Sequence, residues 1–96
     1  MARMLLSVLG IFLCAGALAQ NLALKGVVKD NTGEKLTGVS IIVENTSTGT
    51  TTNSDGEYSI EAPKGATLVF FFLGFETQRV EVGNRTVVDV VMSQTA

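Results

Sequence analysis

The sequence predicts an all-β fold: a small, mostly antiparallel two-layer sandwich or barrel of seven short strands. Three observations predict it. Segments rich in Val, Ile, Thr and Phe recur at short, regular spacing after residue 20. Turn signals built from Gly, Asn, Asp and Pro stand between them. No window beyond the N-terminal block holds the 3.6-residue apolar period of a helix. Strand–turn–strand order without helical crossovers implies antiparallel neighbours.

The N-terminal block reads as a targeting segment. Met1-Ala2-Arg3 is a short basic start, and Met4 to Leu18 is almost wholly apolar. Ala17-Leu18-Ala19 then supplies a small-x-small cleavage signal. The apolar run, about 15 residues, falls short of the ~20 that a spanning helix needs. A lipoprotein reading would place Cys14 at the cleavage point, but large Leu13 precedes it. Residues 1–19 are therefore expected to be a cleavable signal peptide and residues 20–96 the domain. Without Arg3 the remaining chain carries six basic and nine acidic residues.

The expected strands follow in order. They are Leu22–Lys29, Val39–Glu44, a weaker Thr50–Asn53, Tyr58–Glu61, Thr67–Leu73, Thr77–Val82 and Thr86–Met92. Asn31-Thr32-Gly33 turns the chain after the first, and Gly26 within it marks a bulge or a close backbone approach. Asp55-Gly56 reads as a hairpin turn between a Thr-rich run and Tyr58-Ser59-Ile60. Pro63-Lys64-Gly65 and Gly83-Asn84 make further turns, and Gly74 turns a corner. Alternation puts Val39, Ile41 and Val43 on one face, with Ser40, Ile42 and Glu44 on the other. Tyr58 and Ile60 oppose Ser59 and Glu61; Val80 and Val82 oppose Arg79 and Glu81. Val88, Val90 and Met92 oppose Val87, Asp89 and Val91. Leu68 to Phe72 is apolar throughout. Either a loop covers both faces of this strand, or Val69 and Phe71 are exposed and form a candidate partner surface.

Composition excludes much chemistry. The chain has 96 residues, no histidine, no tryptophan, one cysteine and a net charge of −2. A Ser-His-Asp or Cys-His triad is impossible, as is any His-containing zinc site. One cysteine permits neither an internal disulfide nor a cysteine-cluster metal site. The charge offers no basic footprint for nucleic acid. No catalytic residue, cofactor or metal is expected. Asn53-Ser54-Asp55-Gly56 resembles part of a calcium loop but lacks the 12-residue pattern and its closing glutamate. Asn45-Thr46-Ser47 and Asn84-Arg85-Thr86 match the glycosylation pattern at a level that Asn- and Thr-rich turns reach by chance. The run Thr46 to Thr52 reads as a solvent-facing loop and edge strand, or as a hydroxyl-rich surface for a polar ligand.

An ordered set of short motifs resembles the carboxypeptidase-regulatory-like domain. It runs from Gly26-Val27-Val28-Lys29-Asp30 through Gly33-Glu34-Lys35-Leu36-Thr37-Gly38-Val39-Ser40-Ile41 and Val43-Glu44-Asn45-Thr46. It continues through Gly49 to Ile60, Leu68-Val69-Phe70, Gly74-Phe75-Glu76-Thr77-Gln78 and Val80-Glu81-Val82-Gly83. The resemblance covers Asn21 to Met92. It implies a seven-stranded antiparallel prealbumin-like (transthyretin-like) β-sandwich. The version it is most similar to follows the signal peptide of SusC-like TonB-dependent outer-membrane receptors. There the domain is a periplasmic extension, without catalytic residues, ahead of the plug and barrel. The implied partner is a protein, receptor plug or barrel or another envelope protein, and membrane contact comes only through a parent receptor. Those receptors continue into a TonB-contacting box and a plug, whereas this chain stops at Ser93-Gln94-Thr95-Ala96, as a stand-alone module or a fragment. Phe71 stands where the family often has a small polar residue. The competing reading is a carbohydrate- or small-ligand-binding sandwich with Tyr58 and Phe75 as aromatic platforms. An oxidised-purine hydrolase of the same fold uses histidines, which this chain lacks. A purely structural spacer is a further reading, which differs from the interaction domain only in lacking a specific partner.

Overall fold

A computed structural model describes residues 21–95, so the expected signal peptide lies outside the described residues. Seven strands appear among them: β1 (Asn21–Asp30), β2 (Ser40–Val43), β3 (Gly49–Thr51), β4 (Glu57–Pro63), β5 (Thr67–Phe71), β6 (Gln78–Glu81) and β7 (Val90–Met92). They form two sheets, one ordered β4-β1-β7 and the other β3-β2-β5-β6. The core lies between them. Leu24, Val28, Tyr58, Ile60, Val88 and Met92 meet Val39, Ile41, Val43, Leu68, Phe70 and Val82. Each strand inserts alternate residues, as its apolar alternation requires. The expected face assignments for β2, β4, β6 and β7 hold throughout.

Two local expectations are corrected. Asp55-Gly56 does not join a hairpin, because β3 and β4 belong to different sheets. Only Gly56 takes positive φ, at 73°, and the turn carries the chain from one layer to the other. The Asn53 side chain organises it, its Oδ1 accepting the amides of Asp55 and Glu57, both at 2.9 Å. Pairing is also not wholly antiparallel: β7 runs parallel to β1, with Val28 beside Val90 and Asp30 beside Met92. The chain crosses from the β6 edge of one sheet to the other sheet before β7 begins, so it arrives in the direction of β1. The last expected strand shortens accordingly, leaving only an isolated bridge between Lys25 and Val87 before Val90.

Gly26 sits where β1 meets the segment entering β7. A Cβ there would lie 1.9 Å from the Val88 carbonyl oxygen. That same oxygen accepts the Tyr58 hydroxyl at 2.6 Å. Asp89 completes the junction, accepting the Val27 amide through Oδ1 at 2.9 Å. Thr52 pins the other sheet from inside: its buried hydroxyl donates to the Leu36 carbonyl at 2.6 Å and accepts the Val39 amide at 3.0 Å.

Candidate functional site

The outward face of β2-β5-β6 carries the candidate surface. In β5, Leu68 and Phe70 enter the core, so Val69 and Phe71 must point outward. No loop covers them completely: Phe71 keeps 48% of its surface exposed, and Val69 is half-buried. The strand is central in its sheet, but its outer face is open. Val69 pairs across strands with Ile42 of β2, itself 42% exposed, and with Arg79 of β6. Arg79 reaches over β5 to form an ion pair with Glu44. That bridge covers the Val69 end of the strip and leaves the Phe71 end free. Ser40 faces Phe71 on β2, a small neighbour that does not shield the ring.

The strip continues beyond β5. Leu73, 85% exposed, stands at the tip of the turn that Gly74 closes with φ of 90°. Phe72 and Phe75 pack together with ring centroids 5.5 Å apart and lean on the core. The C-terminal segment clips this turn, because the Glu76 amide donates to Ser93 at 2.8 Å and the Thr95 amide to Gly74 at 3.0 Å. The described chain therefore leaves the sandwich beside Leu73 and Phe71.

The aromatic platforms of the carbohydrate reading are not presented to solvent. Tyr58 is 5% exposed, meets Phe70 edge-on at 5.6 Å, and spends its hydroxyl on Val88. Phe75 is half-buried against Phe72. Burial, reinforced by the Asp89 charge, pushes the Tyr58 hydroxyl up to about 12. The Thr32 hydroxyl, at 2.6 Å, and the amides of Thr32 and Glu34 hold the Asp30 carboxyl below its ordinary value and shape the first turn. Among the described residues no three His, Cys, Asp or Glu side chains come close enough to hold a metal ion. Asn53, the first residue of the calcium-like tetrapeptide, uses its side-chain oxygen on its own turn. Sequence reasoning did not find the polar role of Thr52, since a buried hydroxyl inside a Thr-rich run looks like its solvent-facing neighbours.

Two packed sheets around an apolar core, with an apolar strip open on the outer face of one of them, define a β-sandwich module. The family model of the CarboxypepD_reg-like domain matches residues 24–96, and the chain belongs to that family. It is 40% identical over 79 residues to the TonB-dependent receptor SusC of Bacteroides thetaiotaomicron, covering 82% of this chain and 8% of the receptor. It is 43% identical over 95 residues to the TonB-dependent receptor P3 of Formosa agariphila, covering 94% of this chain and 10% of the receptor. The chain thus spans a tenth or less of the length of these curated relatives. Among solved structures, it resembles a chain of a type II cohesin–X-dockerin complex from Acetivibrio cellulolyticus. The TM-score is 0.61 at 14% identity, covering 74% of this chain and 56% of the other, a likeness of fold.

Proposed function

We propose that residues 20–96 form a non-catalytic interaction domain on the periplasmic side of the outer membrane, after removal of the signal peptide 1–19. The domain serves as the N-terminal extension of a SusC-like TonB-dependent receptor, or as a module derived from one. Its partner is a protein, the receptor plug and barrel or another envelope protein. It meets the membrane only through that parent. Nutrient or glycan uptake is the work of the receptor, with this domain as an accessory.

The observation that carries the proposal is the Phe71 ring, exposed beside Ile42 and Val69 on a central strand of a domain whose relatives are receptors. A large apolar side chain at such a position is expensive to leave in water and gains when a partner covers it. The test compares Phe71→Ser with the parent chain, both secreted and purified from the periplasm. Phe71→Ser should keep the fold, since half of its side chain already contacts water. Its capture of a purified receptor plug and barrel should fall at least about tenfold, the factor that ~1.4 kcal/mol of lost burial represents. Unchanged capture by a folded variant removes the strip from the interface. N-terminal sequencing of the secreted form should read Gln20 first, which checks the processing step.

A further inference from the structure

The edges of the sheets differ in how much backbone they leave unpaired. In β1 the amide of Val28 donates to Gly56 at 2.8 Å, so even-numbered β1 residues face β4. Odd-numbered β1 residues face away, as the bonds from Lys25 to Thr86 and from Val88 to Lys25 show. The same alternation turns Glu57, Ser59, Glu61 and Pro63 of β4 outward along the edge. The Glu57 amide and carbonyl are both taken by Asn53, and the Pro63 carbonyl accepts Ala66. Ser59 and Glu61 between them make no backbone hydrogen bond on that side within the described chain. In the other sheet the Glu81 carbonyl at the β6 edge accepts Arg85, and Gly49 and Thr51 at the β3 edge are unpaired as well within the described chain but carry no flanking charge, unlike the β4 edge with Glu57 and Glu61. An open cavity of about 690 Å³ runs from Glu57 and Ser59 of β4 across β1 to Val87 and Asp89, with Thr50 and Thr51 also on its wall.

We propose that this edge of β4 accepts an extended segment of a partner protein with basic side chains four residues apart. The inference deepens the interaction-domain reading by naming a second contact and the chemistry of its occupant. Ser59 and Glu61 offer two amides and two carbonyls to an added strand, the mode known as β-augmentation. Charge selects the strand. Antiparallel self-pairing centred on Ser59 would set Glu57 of one copy opposite Glu61 of the other, a like-charge pair at both ends. That register of a second copy is disfavoured, and a strand with Lys or Arg opposite each glutamate is favoured. Lys25 lies beside Ser59 on β1, so a basic central partner residue is disfavoured.

The probe is the blocked heptapeptide Thr-Lys-Thr-Val-Thr-Lys-Thr, titrated against the secreted chain and followed by amide NMR shifts. Shifts should be confined to the Gly49–Thr51 and Asn53–Pro63 segments, and the Ser59 and Glu61 amides should exchange more slowly with solvent. The peptide with Glu in place of both Lys should not bind. Ser59→Pro should weaken binding at least about tenfold, since proline removes an outward amide that no ladder bond uses. Glu57→Lys with Glu61→Lys should invert the preference toward the acidic peptide, a readout independent of any folding defect in the proline variant. Shifts on β6, no binding by either peptide, or binding indifferent to the charge swap would overturn the edge assignment and reduce the glutamates to guards against edge pairing. Receptor capture that depends on Phe71 is read separately, so the earlier proposal can survive this one.

Discussion

Replacing Gly26 with alanine tests the junction on which the first sheet depends. The added Cβ would sit 1.9 Å from the Val88 carbonyl oxygen, 2.7 Å from its carbon and 2.9 Å from Tyr58 Cε1. The first two atoms are backbone and cannot swing aside. The tyrosine ring is held by its hydroxyl on Val88 and by Phe70 edge-on at 5.6 Å. Relief requires the 86–88 segment to move off β1. That movement breaks the Lys25–Thr86 bond at 3.0 Å, the Val88–Lys25 bond at 2.9 Å and the Tyr58–Val88 bond at 2.6 Å. At ~1 kcal/mol for each, the loss is about 3 kcal/mol before strain and the repacking of Val88 are counted. A domain of this size holds roughly 4–10 kcal/mol in all. Urea unfolding followed by circular dichroism measures the difference. Tyr58→Phe is the companion: it removes the hydroxyl alone and should cost about 1–2 kcal/mol, with the clash absent. A Gly26→Ala chain within about 1 kcal/mol of the parent would refute the close approach of these backbones.

Two further outcomes follow from side chains that hold the fold. Asn53→Ala removes the acceptor for the Asp55 and Glu57 amides, and should lower urea-unfolding stability by about 1–2 kcal/mol while leaving Phe71-dependent capture intact. Tyr58 sets an alkaline limit. Its hydroxyl is neutral in both states below pH 10, so stability is flat there; between pH 10 and about 12 the unfolded chain ionises and the folded chain does not, so stability falls. The loss is on the order of 2 kcal/mol across that window, read from urea midpoints at successive pH values, and Tyr58→Phe should abolish it.

Much of this molecule was legible because burial writes itself into period-two patterns. Val39, Ile41 and Val43 face the core for the same reason that Ser40 and Ile42 do not. Gly26 was legible as a close approach, since a glycine inside a strand forgoes packing unless something else occupies the space. The misreadings share a cause: local chemistry does not encode which sheet a strand joins. Asp55-Gly56 has the residues of a tight turn and makes one, but a turn between layers needs the same positive φ at Gly56 as a hairpin does. The parallel β1–β7 pair was invisible for the same reason. For Phe71 an unbroken apolar run favours a covered strand, yet the ring keeps half its surface in solvent because no described loop lies over the outer face of β5. Tyr58 failed as a platform because its polar tip is satisfied by a carbonyl 30 residues away in sequence.

The two proposed contacts lie on different parts of the sandwich and use different physics. The outer strip of β5 is apolar and uncharged at its Phe71 end, because the Arg79–Glu44 pair neutralises itself at the other. Its binding should depend little on salt. The β4 edge offers backbone groups flanked by Glu57 and Glu61, and its selectivity should fade as ionic strength rises past the point where the screening length shrinks to ~3 Å, near 1 M. A partner that binds through both surfaces should show both signatures, with Phe71→Ser lowering affinity at every salt concentration and the lysine swap lowering it at low salt but little near 1 M. A salt-independent affinity that both sets of substitutions lower equally would mean that the two surfaces act as one rigid unit.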